Sequence, residues 1–159
     1  MSEMVEADKN MLKIIVFKLL DEEYGLDVQQ VQSIERLQHI TRVHDTLPYV
    51  RGVINLRGVI HPIIDLRTRF NLPQAEYTDS TRIIIVSVQE MEVGLIVDEA
   101  NDVLDVSFAQ IEPPPEVVGG IEAKYIRGVV KLDNRLCTLL DLEEVLSREE
   151  FNQKETIEG

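Results

Sequence analysis

Two aspartates, Asp65 and Asp141, hold matching places in two similar stretches, YVRGVINLRGVIHPIIDL from Tyr49 to Leu66 and YIRGVVKLDNRLCTLLDL from Tyr125 to Leu142. Carboxylates related by a pseudo-twofold axis can share a proton, as in aspartic proteases. A duplicated aspartate-based hydrolase is therefore the enzymatic reading to weigh. Helix capping accounts for the pair better. Asp141 stands three residues before Glu144 at the head of DLEEVLSREEF, a capping-box spacing with Asp in the Ser/Thr place, and Asp65 similarly precedes LRTRF. The small hydroxyl-bearing residues that would hold a protease dyad follow neither aspartate.

Other chemistry finds no footing. His39, His44 and His61 show no metal-ligand spacing, and His61 aligns with Cys137 between the two stretches, which marks an ordinary strand position. Cys137 is the only cysteine, so neither an intrachain disulfide nor a thiolate cluster is available, and its apolar setting RLCTLLDL suits a buried small hydrophobe. Gly94 and Gly119-Gly120 do not form a GxGxxG phosphate cradle, and there is no nucleophile elbow. No catalysis, metal or cofactor is expected.

The composition, 44% hydrophobic and 28% charged over 159 residues, is that of a globular chain. No apolar stretch approaches the roughly 18 residues of a membrane span. The opening MSEMVEADKN has no apolar core of a secretory signal, which predicts a cytoplasmic address. A formal charge of −13 without a basic run opposes a phosphate backbone, so no nucleic-acid partner is expected.

The elements that must position these residues come from a duplication. The two stretches align without gaps at an offset of 76, with seven identities in 18 positions and five more exchanges among Val, Ile and Leu. Upstream, at an offset of 69, IIVFKL from Ile14 matches IIIVSV from Ile83, and YGLDV from Tyr24 matches VGLIV from Val93. The extra residues of the second copy fall around IEPPPEVVGGIEAK, whose prolines and glycines suit a surface loop. Short apolar runs with turn signals at roughly ten-residue spacing predict an all-β fold of small barrels or a sandwich. The predicted divisions are an N-terminal segment 1–10, a first barrel repeat with linker 11–81, a second repeat with the start of a C-terminal helix 82–146, and an acidic tail 147–159 that frays. Two units of about 65 residues are marginal alone, so a shared hydrophobic seam is expected.

Each copy turns a tight hairpin at the same place, over Arg57-Gly58 in the first and Asp133-Asn134 in the second. The charge at the first turn position is reversed between copies. Locally, a solvated tip that tolerates any polar residue explains this as well as a dedicated contact does.

VRGVINLRGVIHPIIDLRTRF, with the upstream DVQQVQSIERLQHITRV and the downstream VGLIVDEANDVLDV, resembles the bacterial chemotaxis coupling protein, the CheW family, from about Met11 to Leu146. The same fold occurs in the regulatory domain of the kinase CheA and in CheV proteins, and a chain of this length leaves no room for kinase or receiver domains. The resemblance implies two SH3-like five-stranded β-barrels packed on a common core, with short helices. It further implies a non-catalytic adaptor that bridges the cytoplasmic tip of chemoreceptors to the CheA regulatory domain, is recruited to membrane-associated arrays without inserting into the membrane, and makes homotypic ring contacts there.

The family's receptor-facing groove carries over onto Val31, Arg57, Ala100 and Val103, with Ser33 and Gly94 nearby. Apolar members would receive a helix face, and Arg57 would donate to oxygens at the receptor tip. Val31, Ala100 and Val103 also suit a barrel core. Many relatives carry an acid where this chain has Ser33, so either Glu35 substitutes or that contact is missing. The kinase surfaces correspond to Val28 and Arg51 at one end and to Glu116 and Val117 near the proline loop. Arg51 aligns with Arg127, so a shared structural role before Gly52 and Gly128 competes with a contact.

Overall fold

The computed structural model describes residues 10–44, 46–115, 117–118 and 121–147. The apolar runs form the strands β1 (Met11–Leu19), β2 (Glu22–Asp27), β3 (Val31–Arg36), β4 (Val50–Leu56), β5 (Val59–Asp65), β6 (Arg82–Val88) and β7 (Met91–Val97). They continue as β8 (Glu99–Ser107), β9 (Ile111–Glu112), β10 (Val117–Val118), β11 (Ile121–Glu122), β12 (Ile126–Leu132) and β13 (Arg135–Leu140). The helices α1 (Leu66–Arg69) and α2 (Leu142–Val145) are single turns.

The strands form a six-stranded sheet in the order β8-β1-β2-β13-β12-β9, a five-stranded sheet in the order β3-β6-β7-β5-β4, and a small β10-β11 ribbon. The fold is all-β and duplicated, as expected. The copies, however, do not each build a sheet. β1 and β2 of the first copy pair within the sheet of β8, β12 and β13, while β6 and β7 of the second copy join β3, β4 and β5. One barrel per copy, divided at residues 81 and 82, is therefore corrected: the chain crosses between sheets at Val28–Gln30 and at Asp98.

The exchange obeys the internal symmetry. Leu139 of β13 lies opposite Gly25 of β2 in parallel, and their counterparts Ile63 and Gly94 pair in the same way in the other sheet. Parallel pairing cannot be closed by a tight hairpin. Drawing the partner strand from the other copy satisfies that limit, and it interlocks two halves that are each too small to fold securely.

Burial explains why the strands read as unbroken apolar runs. Along β6, Ile83 and Ile85 point into a core with Ile54, Ile63 and Ile96, while Ile84 and Val86 point into a larger central core. β1 repeats this, with Ile14 and Val16 against Val106, Val130, Cys137 and Leu139 and with Phe17 and Leu19 in the central core. Each sheet thus curls around its own interior, and the two share a seam, so these strands are buried on both faces. Phe17 and Tyr24 stack within the seam with ring centroids 5.7 Å apart. Leu66, Phe70, Leu142, Val145 and Leu146 complete it from the two helical turns.

Both aspartates cap. Asp65 accepts from the amides of Arg67 at 2.9 Å and Thr68 at 3.4 Å, and Asp141 from those of Glu143 at 3.1 Å and Glu144 at 3.3 Å. The return arm of a capping box does not form at Asp141, because the Asp141 amide donates to the Tyr125 carbonyl at 2.9 Å. The Asp65 amide does the same to Tyr49. A complete capping box occurs instead at Ser107 and Gln110.

Candidate binding surfaces

The β4–β5 turn sets Arg57 at the tip of its sheet. Arg57 has φ +52° and Gly58 φ +86°, the pattern of a type I′ turn, and the Asn55 carboxamide oxygen accepts from the Gly58 amide at 2.9 Å. A left-handed non-glycine residue costs roughly 1–2 kcal/mol. Asp133 has φ +42° at the equivalent place, so the first turn position is left-handed in both copies while its charge is reversed; the second position differs, since Gly58 has positive φ and Asn134 does not.

Arg57 is 73% exposed and its guanidinium lies 3.6 Å from the Glu35 carboxylate on β3. An exposed pair of this length contributes little to stability. It does bring the guanidinium beside Glu35 on β3. Beneath the turn is a recess of about 240 Å³ lined by Ser33, Leu56, Val59, His61, Ile85 and Glu92, among others. His61 is buried at its floor, and its Nδ1 has no hydrogen-bond partner.

β3 and β8 each stand at one end of their sheets, opposite β4 and β9. Val31 on β3 lies opposite Val86, Ala100 on β8 lies opposite Phe17, and both are half-buried against the central core. Val103 lies opposite Ile15 with 58% of its surface exposed, too open for a core position. Gly94 differs from its expected place beside the groove. It is buried inside the five-stranded sheet, where an added Cβ would lie 2.5 Å from Ile63 Cδ1 and 2.8 Å from Ile83 Cγ2. Gly94 is thus a packing glycine, whose backbone alone lets these isoleucines close the barrel.

At the other end, Val28 lines an open groove with Met11, Phe108, Asp105 and Arg127. Arg51 is engaged internally. Its Nη2 donates to Thr68 Oγ1 at 3.1 Å and Gln74 Oε1 at 2.9 Å, and lies 3.5 Å from Asp65 Oδ2. Arg51 thus braces the Asp65 cap, whereas its counterpart Arg127 lies 3.9 Å from Asp27 and not at Asp141, so the two arginines do not share this role. Val117 belongs to the β10–β11 ribbon, where it pairs with Glu122, and Glu116 lies outside the described residues, as do residues 1–9 and 148–159.

Three features escaped sequence reading. Arg69 is buried between two equivalent tyrosines, with its guanidinium carbon 4.5 Å from the Tyr49 ring centre and 4.8 Å from that of Tyr125, and its Nε donates to the Val145 carbonyl at 2.8 Å. It ties the copies together across their pseudo-symmetry. Arg67 pairs with Asp98 at the crossover between sheets, with Nε to Oδ1 at 2.9 Å, and the same carboxylate accepts from the Leu20 amide at 2.7 Å. The Tyr77 hydroxyl donates to Asp65 at 2.8 Å. Burial, then that bond to the carboxylate, pushes the phenol up to about 12.

The groups that could do chemistry are committed elsewhere. Asp65 is 2% exposed and bound by two amides, a phenol and Arg51. Cys137 is buried in the apolar interior, which pushes its thiol up to about 12. Among the described residues, no cluster of His, Cys, Asp and Glu could hold a metal ion, and no helix is long and apolar enough to cross a membrane.

Among the described residues, the β3 and β8 sheet ends and a charged turn stand at the surface of an interlocked two-sheet frame, the makings of a scaffold that works by binding. Comparison with known proteins agrees. Residues 13–150 match the CheW-like domain, so the chain belongs to the CheW family of chemotaxis scaffold and coupling proteins, which are adaptors rather than enzymes. The chemotaxis protein CheW of Bacillus subtilis is 51% identical over 137 residues, covering 86% of this chain and 88% of that protein. That of Klebsiella aerogenes is 39% identical over 139 residues, covering 87% and 84%. The crystal structure of the scaffolding protein TtCheW from Thermoanaerobacter tengcongensis superposes with a TM-score of 0.80 at 36% identity, covering 86% of this chain and 92% of that one.

Proposed function

We propose that this protein couples chemoreceptors to the histidine kinase CheA, binding the cytoplasmic receptor tip with one surface and the kinase regulatory domain with another. The observation that carries the reading is the Arg57 turn. A left-handed arginine, 73% exposed and held 3.6 Å from Glu35, projects beside the end strand that bears Val31 and Ser33. Donors that the fold leaves unused suit carbonyl and carboxylate oxygens of a partner, while Val31, Ala100 and Val103 suit the apolar stripe of a helix. Gly94 supports that surface from inside the barrel.

The kinase surface is proposed at the Val28 groove and, from the family resemblance, at Glu116 and Val117. Arg51 acts there through the Asp65 cap it braces. Recruitment to membrane-associated arrays would follow from receptor binding, and homotypic ring contacts are proposed from the family resemblance alone. Signalling through such a bridge requires receptor states that bind or orient the complex differently.

Calorimetric titration of the full chain with the regulatory domain of a cognate CheA, followed by a receptor cytoplasmic fragment, tests the reading. Saturable one-to-one binding that still admits the receptor is expected. Absence of binding to the kinase domain would mean that the frame serves another purpose.

A further inference from the structure

The duplication supplies an internal control for the recess beneath Arg57. By the offset of 69, Glu92 on β7 corresponds to Glu23 on β2, and by the offset of 76, Val59 on β5 corresponds to Arg135 on β13. In the second copy the acid is satisfied within the chain, with Arg135 Nη1 3.3 Å from Glu23 Oε2. In the first copy Val59 has no charge to offer. Glu92 is exposed, and among the described residues no hydrogen bond or ion pair reaches it. The parallel register that sets Cys137 opposite Glu23 continues, in the other sheet, from the Ile63–Gly94 pair to His61 beside Glu92. The unpaired carboxylate therefore stands over a recess of about 240 Å³ whose counterpart is bridged by an arginine.

We propose that this recess is a subsite for a basic side chain of the partner, an arginine or a lysine, with Glu92 as its anionic contact. The partner would complete in trans the pair that Arg135 and Glu23 make in cis. Leu56, Val59 and Ile85 give the aliphatic stem of such a side chain an apolar wall, and Ser33 offers an oxygen at the rim. Arg57 also lines the recess, but Glu35 lies 3.6 Å from it and offsets its charge, leaving Glu92 as the unpaired one. A partner segment carrying an acceptor for Arg57 and a base for Glu92 would be read at two points of opposite sign, which fixes its register as well as its presence.

The proposal rests on the coupling reading only for the identity of the partner. Its test uses the full chain with Glu92→Gln, which removes the charge, and Val59→Arg, which supplies the guanidinium of the second copy. Both sites are exposed, and circular dichroism should confirm unchanged folds. Titration with a chemoreceptor cytoplasmic fragment is expected to give roughly tenfold weaker binding for each variant, the scale of one charge-assisted contact. Wild-type affinity in both, while Arg57→Glu still weakens binding, would overturn the subsite and leave the coupling reading standing. If the wild-type chain does not bind the fragment, the coupling reading fails and N-acetylarginine amide decides the subsite. A carboxylate carbon shift at Glu92, abolished in Val59→Arg, would support it, and no shift at Glu92 would overturn it.

Discussion

The equivalent β4–β5 and β12–β13 hairpins share a left-handed first turn residue and carry opposite charge there. The β4–β5 turn presents Arg57 over an open recess with an unpaired Glu92, whereas the β12–β13 turn presents Asp133 over a position bridged by Arg135 and Glu23. Both turns place a non-glycine residue at positive φ in the first position, so that feature of folding does not account for the charge reversal, although only the first copy continues with a second positive φ at Gly58. The difference shows which features the duplication kept for structure and which it released. Shared features, such as the Asp65 and Asp141 caps and the tyrosine carbonyls that receive their amides, hold the frame. The charge at the turn and the Arg135–Glu23 bridge are among the features that diverged.

The sharpest way to break the shared part is at the equivalent glycines after the two arginines. Gly52 has φ +146°, and an added Cβ would lie 2.1 Å from the Thr41 carbonyl oxygen, a backbone atom in a bridge with Val53. Gly52→Ala should cost roughly 3 kcal/mol by urea unfolding, the upper range for overpacking. At Gly128 the nearest atom is the movable Ile111 Cγ2 at 2.5 Å, with the Glu112 carbonyl oxygen at 2.9 Å, so Gly128→Ala should cost less, about 1–2 kcal/mol. Equal losses would remove the distinction.

The caps come next. Asp65 carries Tyr77 and Arg51 as well as two amides, while Asp141, among the described residues, accepts only from amides. Asp65→Ala should cost about 2 kcal/mol and Asp141→Ala about 1 kcal/mol. The sequence treated these aspartates as equals, because their spacing to the following helix is the same. What separates them is Tyr77, brought back from the linker by a path that no local pattern encodes.

Alkaline pH tests the same network with a smaller effect. The Tyr77 phenol is pushed up to about 12 from 10 and the Cys137 thiol to about 12 from 9, both mainly by burial, so the folded state prefers their protonated forms. Their contributions are complete below the unfolded values and fade as pH rises through about 9–12. Melting temperature should therefore fall over that window, and Tyr77→Phe should reduce its upper part. The smallest effect is a null result at Cys137: below pH 9 a thiol reagent should modify it only as fast as the protein unfolds.

Much of this architecture was legible in the chain. Repetition of YxRGVxxL and Asp-Leu revealed the duplication, and the short apolar runs between turn signals announced an all-β fold, though not that β1 and β6 are buried on both faces. The exchange of strands between copies was not legible, since pairing β2 with β13 or with a strand of its own copy satisfies the same apolar pattern. Arg57 stands out in the sequence through its motif, and its place at an exposed turn agrees with a tight hairpin there. Gly94 was placed on the surface because a glycine next to a groove and a glycine inside a barrel look alike in sequence. Arg69 was missed because the tyrosines flanking it are 76 residues apart and meet only across the pseudo-symmetry axis.

The most direct measurement compares receptor binding by Arg57→Glu and Asp133→Arg at matched stability. If the first copy's turn is the receptor contact, Arg57→Glu should weaken association with a receptor cytoplasmic fragment by about tenfold or more, and Asp133→Arg should leave it unchanged. Equal affinities for wild type and both variants would make Arg57 an ordinary solvated turn residue and would contradict the assignment of binding to this end of the molecule.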